Sequence, residues 1–354
     1  MFDAKMDAEG FFGLPTDHES LAAVSDRASG LEAIVAIHST ARGPAFGGCR
    51  YWHYENRDAA IRDARRLAEG MSLKNALADL PFGGGKAVII RNPRQTDRQA
   101  LFSRFGRFVE SLEGRYVTAE DVGTTEADMA AIAAQTPYVS GLKTAKTYGG
   151  NPSPKTALGV FVAIRSGVRQ VLNRRDLDGL VVAVQGLGSV GWDLCRLLAG
   201  AGCKLIVADI NPAVAAKAVE QFGANTCEPD AILFQDADVL APCALGGVLN
   251  VDSIPKIRAK LIAGAANNQL QSITDGDSLH KAGIYYLPDF LVNAGGIVSA
   301  VREYQGKLGE QQVIEEVERI GQRVEELVAR VARLDLAPAR AADAWARSLL
   351  VPTR

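Results

Sequence analysis

The feature that most narrows what this chain can fold into is the turn Gly186-Leu187-Gly188-Ser189-Val190-Gly191. It lies between an apolar run at 180–185, LVVAVQ, and a helical one at 190–200, VGWDLCRLLAG. Strand, glycine-rich turn and helix in that order open a β-α-β unit, and the glycine spacing suits a dinucleotide pyrophosphate. Gly186 permits the tight turn, Gly188 lets the backbone approach the phosphates, and Gly191 lets helix and strand pack closely. Leu187, Ser189 and Val190 complete the loop, and the helix N-terminus offers unpaired N–H groups to the anion. The next strand, KLIVAD, ends about twenty residues on in Asp209, where a carboxylate accepts hydrogen bonds from the ribose diol. A 2′-phosphate would meet a negative charge there, so the expected cofactor is NAD rather than NADP.

The surrounding pattern agrees. Strands are expected at 180–184, 204–208, 238–241, 260–265 and 284–287. Helices are expected at 156–172, 190–199 and 212–222, the last with Pro212 in its first turn. Short apolar strands joined by helices imply a parallel, doubly wound sheet. In the first half, 31–39 (LEAIVAIHS) and 86–90 (KAVII) read as strands and 58–71 (DAAIRDARRLAEGM) as an amphipathic helix. Gly141, Gly149, Gly150, Asn151, Pro152 and Pro154 form a break, where a hinge is expected. Beyond Glu310, QQVIEEVERIGQRVEELVARVARL reads as one long helix with Val313, Val317, Ile320, Val324, Leu327 and Val331 on its apolar stripe. A last helix is expected from about 338 to 350. At 354 residues the chain is larger than one core usually fills, so two domains are expected.

Composition excludes several classes of partner. The formal charge is −2 and no dense Lys/Arg block occurs, so nucleic acid is not an expected partner. No run approaches the roughly 20 apolar residues that span a bilayer, so no membrane is expected either. The N-terminal segment carries Asp3, Asp7 and Glu9 in place of the basic start of an export signal. Five cysteines (Cys49, Cys195, Cys203, Cys227, Cys243) without CxxC spacing fit the reduced thiols of a cytoplasmic protein. The four histidines are dispersed and form no HExxH motif, so no metal is expected.

A second glycine cluster, Pro81-Phe82-Gly83-Gly84-Gly85-Lys86, looks like a phosphate loop but fails the GxxxxGK[ST] spacing, and Ala87 stands where the hydroxyl should be. What remains is a lysine presented by a flexible turn at the start of a buried strand. Lys74 lies upstream at the end of a helix, and Thr118-Ala119-Glu120-Asp121-Val122-Gly123-Thr124-Thr125 places carboxylates at a strand end. Taken singly, each reads as a solvated charge.

Together these segments resemble a known family. Gly47-Gly48-Cys49-Arg50, MSLKNALADLPFGGGK, TAEDVGTT, NPSPKTALGV, QGLGSVG, GAANNQL and PDFLVNAGG follow the order of the glutamate/leucine/phenylalanine/valine dehydrogenases. The resemblance spans 43–300 and is closest to the leucine and phenylalanine members. It implies an α/β fold with an N-terminal α/β substrate domain, a doubly wound Rossmann NAD-binding domain, and a cleft between them. The expected extents are 1–143 for the substrate domain, with a C-terminal return at about 331–354, and 144–330 for the NAD domain.

The implied reaction is reversible NAD-dependent oxidative deamination of an apolar L-amino acid to its 2-oxo acid and ammonia, by a cytoplasmic homo-oligomer. Lys86 matches the general base that activates water, and Asp121 the aspartate that exchanges protons with the substrate amino group. A desolvated lysine beside a second cation loses its proton more readily, as a general base requires. Lys74 matches the carboxylate-binding lysine, and Gly47 and Gly48 the glycines whose backbone lies against that carboxylate. Asn267 and Asn268 match an asparagine pair near nicotinamide and substrate, and Thr156 a hydroxyl that contacts the nicotinamide amide. Ala119, Ile297 and Phe46 match side-chain pocket positions. The first two resemble leucine enzymes, whereas Phe46 replaces an expected leucine and would shrink the pocket or stack on an aromatic substrate. Branched-chain substrates, leucine first, are therefore expected, with phenylalanine as the alternative. A non-catalytic NAD-sensing protein is the alternative of a different class, but Lys74, Lys86 and Asp121 are all present.

Overall fold

The computed structural model describes residues 18–93, 97–142, 150–306 and 309–350. The chain forms two compact units. The first comprises Met1–Asn151, Ala300–Gly309 and Ala346–Arg354, and the second Pro152–Ser299 and Glu310–Trp345. The expected boundary at 143/144 lies outside the described residues. In this division residues 331–345 belong to the second unit, and the return to the first begins at 346 instead of 331.

Unit 1 contains β1 (Ser20–Asp26), β2 (Leu31–Ser39), β3 (Ala45–Phe46), β4 (Cys49–Trp52), α1 (Arg57–Leu77), β5 (Gly83–Ile90), α2 (Arg98–Glu110), β6 (Tyr116–Val117) and α3 (Glu126–Ala133). The sheet order is β1-β2-β5-β3-β6, with β4 also pairing with β5. β1, β2 and β5 run antiparallel in turn, whereas β3 and β4 lie parallel to β5. Strand alternation sorts β5 onto two cores. Val88 and Ile90 pack with Ala60, Ile61, Ala64 and Ala68 of α1, while Ala87 and Ile89 join Leu101, Phe102 and Phe105 of α2.

The start of β5 differs from expectation. Gly83, Gly84 and Gly85 are strand, not a flexible turn before it. Their smallness serves packing: a Cβ on Gly83 would lie 1.9 Å from Ser39 O, and one on Gly84 2.0 Å from Ser72 N. Both α1 and the end of β2 thus approach β5 at distances no other residue allows.

Unit 2 contains α4 (Ser153–Val171), β7 (Val181–Gln185), α5 (Ser189–Gly200), β8 (Lys204–Ala208), α6 (Pro212–Phe222), β9 (Asn225–Thr226), β10 (Val239–Pro242), β11 (Leu261–Ile262), α7 (Ile273–Lys281), β12 (Tyr285–Tyr286) and α8 (Asp289–Val292). There follow α9 (Gly295–Gln305), α10 (Glu310–Glu318), α11 (Ile320–Leu334) and α12 (Pro338–Ser348); α9 and α12 each contribute residues to both units. The strand order β12-β11-β10-β7-β8-β9 is parallel throughout. The order reverses between β7 and β10, the switch point at which doubly wound sheets bind ligands. The long helix expected beyond Glu310 is divided at Arg319, whose N–H bonds Glu316 O three residues back at 3.2 Å. The Ser166 hydroxyl on α4 donates to Gly321 O at 2.9 Å, fastening α11 within unit 2. No helix among the described residues is long and apolar enough to cross a membrane.

Candidate functional site

The expected site residues divide between the units. In unit 1, Lys86 projects from the face of β5 that α1 covers, as its alternation with Val88 and Ile90 requires. It is 5% exposed. Its Nζ lies 3.1 Å from Asp121 Oδ1, so the two charged groups the sequence singled out form an ion pair, Lys86 buried and Asp121 half-buried. Asp121 is held by the loop after β6, where Thr124 accepts from Asp121 N–H at 2.9 Å and donates to Asp121 O at 2.7 Å. Burial pushes the Asp121 carboxyl up, but Lys86 and Arg50 outweigh it and hold the group below the usual carboxylate range. The neighbouring Glu120 is pushed the other way, by burial first and then by Glu126 and Asp128.

Gly48 lies against this pair. A Cβ there would come within 2.8 Å of Asp121 Cβ and 3.2 Å of Lys86 Nζ. A Cβ on Gly47 would meet Gly85 O at 1.9 Å. The Tyr116 hydroxyl donates to Gly47 O at 2.8 Å and accepts from Ala87 N–H at 3.1 Å, fixing this backbone to β5. Lys74 is half-buried in the last turn of α1. It follows shortly after Ser72, the residue that abuts Gly84, so both lysines belong to the α1–β5 layer. Phe46 is fully buried in edge-to-face contact with Phe82 at 5.3 Å and Tyr304 at 5.9 Å between centroids. Ala119 is buried beside the site, its carbonyl accepting from Cys49 N–H at 2.8 Å.

In unit 2 the three glycines of the turn have different reasons to be glycine. Gly186 has φ +88° and would place a Cβ 2.7 Å from Ala244 Cβ, and a Cβ on Gly191 would fall 2.0 Å from Gly186 O. Gly188 has an ordinary φ of −64°, and a Cβ there would meet nothing within 4 Å. The protein itself makes no demand for glycine at 188, so the open space fits a ligand phosphate at this helix start. No side chain caps α5, so the N–H groups of its first turn, which begins Ser189-Val190, are left to a ligand or solvent, whereas Leu187 is buried. Asp209 orders the turn, its Oδ2 accepting from Leu187 N–H at 2.7 Å and its Oδ1 from Asn211 N–H at 2.8 Å.

At the neighbouring strand ends, Asn267 Oδ1 accepts from Asn293 Nδ2 at 2.9 Å, and Asn293 Nδ2 also donates to Ala265 O at 3.0 Å. Asn268 sits at φ +52°, a left-handed position asparagine tolerates, with its N–H on Asp289 Oδ2 at 2.8 Å. Thr156 Oγ1 donates to Pro152 O at 3.1 Å and lies where a Cβ on Gly296 would be, 2.5 Å away. Ile297 follows that glycine on α9.

Sequence reasoning missed Asp63, Tyr54, Asn293, Phe82 and Tyr304, and gave Arg50 no role. Arg50 was visible as the cation following the glycine pair, yet nothing local says that it reaches Asp121, 71 residues on. All five cysteines are free, and burial pushes the thiols up, so none is primed as a nucleophile. The chemistry available is proton handling by Lys86 and Asp121 in unit 1 and anion binding at the α5 start in unit 2.

Comparison with known proteins gives two family matches along the chain. Residues 18–138 match the family described as Glu/Leu/Phe/Val dehydrogenase, dimerisation domain. Residues 212–342 match Glutamate/Leucine/Phenylalanine/Valine dehydrogenase. The leucine dehydrogenase of Geobacillus stearothermophilus is 45% identical over 338 residues, covering 96% of this chain and 92% of that one. That of Bacillus subtilis (strain 168) is 48% identical over 312 residues, covering 88% and 85%. The crystal structure of L-tryptophan dehydrogenase from Nostoc punctiforme matches with a TM-score of 0.82 at 39% identity, over 94% of this chain and 96% of that one.

Proposed function

Since the chain belongs to the glutamate/leucine/phenylalanine/valine dehydrogenase family and is an amino-acid dehydrogenase, we propose that it deaminates a branched-chain L-amino acid, leucine first, with NAD as oxidant. The observation that carries this reading is the Lys86–Asp121 pair at 3.1 Å, packed so closely against Gly48 that no side chain fits there.

Asp121, ionised at neutral pH, takes a proton from the substrate ammonium, leaving a free amine. Lys74 and the backbone of Gly47 and Gly48 hold the carboxylate; Asn268 of unit 2 is assigned to the substrate by its match to the family. NAD, when bound, accepts the hydride from the α-carbon. Lys86, in its amine form, then removes a proton from the water that adds to the resulting imine carbon. The protonated Asp121 returns its proton to the nitrogen of that carbinolamine, and the hydroxyl gives its proton to solvent as the C–N bond breaks, releasing ammonia and the 2-oxo acid. Thr156 and Asn267 serve the nicotinamide end, while the 186–191 turn holds the pyrophosphate. The Asp209 carboxylate supports NAD over NADP, because a 2′-phosphate would face its charge.

Phe46 and Ala119 of unit 1, and separately Ile297 of unit 2, are assigned to the substrate side chain by their match to the family. Phe46 is spent on contacts with Phe82 and Tyr304, which favours a shortened pocket for aliphatic side chains over a surface for stacking. Phenylalanine is the second reading, drawn from the same ring. A homo-oligomer is proposed from the dimerisation description of the matched N-terminal region and from the position of β1 at the end of its sheet. A cytoplasmic setting is proposed from the free thiols.

The test is reduction of NAD by purified protein at mildly alkaline pH, with L-leucine, L-valine, L-phenylalanine and L-tryptophan compared, and NADP in place of NAD. L-leucine with NAD should give the highest kcat/KM. Lys86→Ala should bind NAD as the parent does and lose about 10²–10⁴ in turnover, the usual worth of a general base. Normal turnover in that variant would exclude the assigned mechanism.

A further inference from the structure

Behind the Lys86–Asp121 pair lies a chain of charged groups that the reaction does not use directly. Asp121 Oδ2 accepts from Arg50 Nε at 3.0 Å, and Arg50 Nη1 donates to Asp63 Oδ2 at 3.0 Å. The Tyr54 hydroxyl donates to that same Asp63 Oδ2 at 2.7 Å, and Arg66 donates to Asp63 Oδ1 at 2.9 Å. The side chains of Arg50, Asp63 and Asp121 are 17%, 16% and 17% exposed, so the chain is largely shielded from solvent, whereas Arg66 at its far end is 54% exposed.

We propose that Arg50 is a positioning residue for the reaction: its guanidinium fork grips Asp121 with one nitrogen and Asp63 with another, fixing the Asp121 carboxylate against Lys86. This rests on the proton-exchanging role given to Asp121 above. A planar guanidinium offers donors in a rigid fork, so it sets both the charge and the angle of a carboxylate, which a flexible ammonium does not. Asp63 and Tyr54 hold the other end of the fork. Arginine does not give up its proton, so the chain orients and does not relay protons.

The groups that act on Asp121 are Lys86 on β5, Arg50 and Cys49 on β4, Tyr54 beyond it and Tyr116 on β6, with Asp63 on α1 at the other end of the Arg50 fork. The Cys49 thiol and the Tyr54 and Tyr116 phenols are kept neutral, chiefly by burial. Lys86 and Arg50 are the cations that favour Asp121 ionised, against its burial.

The experiment is the pH profile of kcat/KM for L-leucine in the full chain, with melting temperature and NAD binding confirming that each variant is folded. Arg50→Gln removes a positive charge beside Asp121, so the acid limb should move to higher pH and kcat should fall about 10–100-fold. Arg50→Lys restores the charge and not the fork. The acid limb should return toward that of the parent while kcat stays low. Asp63→Asn removes the fork's second anchor and leaves its charge, so kcat should fall with no upward move of the limb. A folded Arg50→Gln with parental kcat and acid limb overturns the proposal. So does a fall in kcat with an unmoved limb in both Arg50 variants, the mark of a merely structural role, or full recovery of both quantities in Arg50→Lys. Asp121→Asn separates the two readings: turnover surviving in that variant removes the role of Asp121 itself, whatever Arg50 does.

Discussion

At the scale of single residues, the carboxylates of unit 1 show how burial and neighbours compete. Asp121 and Asp63 are both pushed up by burial and brought below the usual range by cations and hydrogen bonds. Such groups contribute stability above the ordinary carboxylate pKa of about 4, and that contribution disappears as pH falls through their depressed values. Glu303 is the opposite case. Burial raises its carboxyl, although Leu142 and Gly141 donate N–H groups to its Oε1 at 3.0 and 3.2 Å. A raised carboxyl is favoured in its neutral form, so it costs stability above its folded pKa and that cost vanishes on acidification. Glu303→Gln keeps an acceptor oxygen and drops the charge. It should raise the melting temperature by about 1–3 °C near pH 8, with the gain fading as pH is lowered toward 5, read by thermal melts across pH. A gain that grows on acidification would contradict this sign.

At the scale of elements, the glycine-rich turn offers the sharpest separation of fold from binding. Gly191 lies under Gly186 O and Gly188 lies open, although the motif treats them alike. Gly191→Ala should destabilise the chain by about 1–3 kcal/mol, the range for overpacking, visible as a lower denaturation midpoint. Gly188→Ala should melt like the parent and yet bind NAD at least about tenfold more weakly by titration calorimetry, since its methyl enters the space left for phosphate. A parental affinity for Gly188→Ala would mean that the pyrophosphate lies elsewhere. Element boundaries were legible wherever a local rule set them, as at Pro212 opening α6 or the apolar run of β7. They failed where packing overrode composition. Three successive glycines disfavour a strand, yet Gly83–Gly85 form one because α1 and β2 come too close for any Cβ. Strands β3 and β9 are too short to leave a period in the sequence.

At the scale of the whole molecule, cofactor binding should appear as stabilisation by mass action. NAD at a hundred times its Kd adds about 2.7 kcal/mol to a folded state that alone binds it, a rise of a few degrees in melting temperature. NADP at the same concentration should give a much smaller rise, and an equal one would remove the argument from Asp209. The parallel, doubly wound sheet was readable from the sequence, because strands buried on both faces must be apolar and a tight βα turn must contain glycine, whereas its strand order and switch point were not. Candidate residues such as Lys86 and Asp121 were named from motif order, which fixes identity and not distance. Their pairing at 3.1 Å, the fork from Arg50 to Asp63, and the packing of Phe46 against Tyr304 all join residues far apart in the chain. Local sequence determined the backbone demands, since φ preferences and apolar periodicity act over a few residues. Which charges meet was decided by the tertiary structure, because Coulomb and hydrogen-bond energies depend on a separation that sheet order and register alone establish.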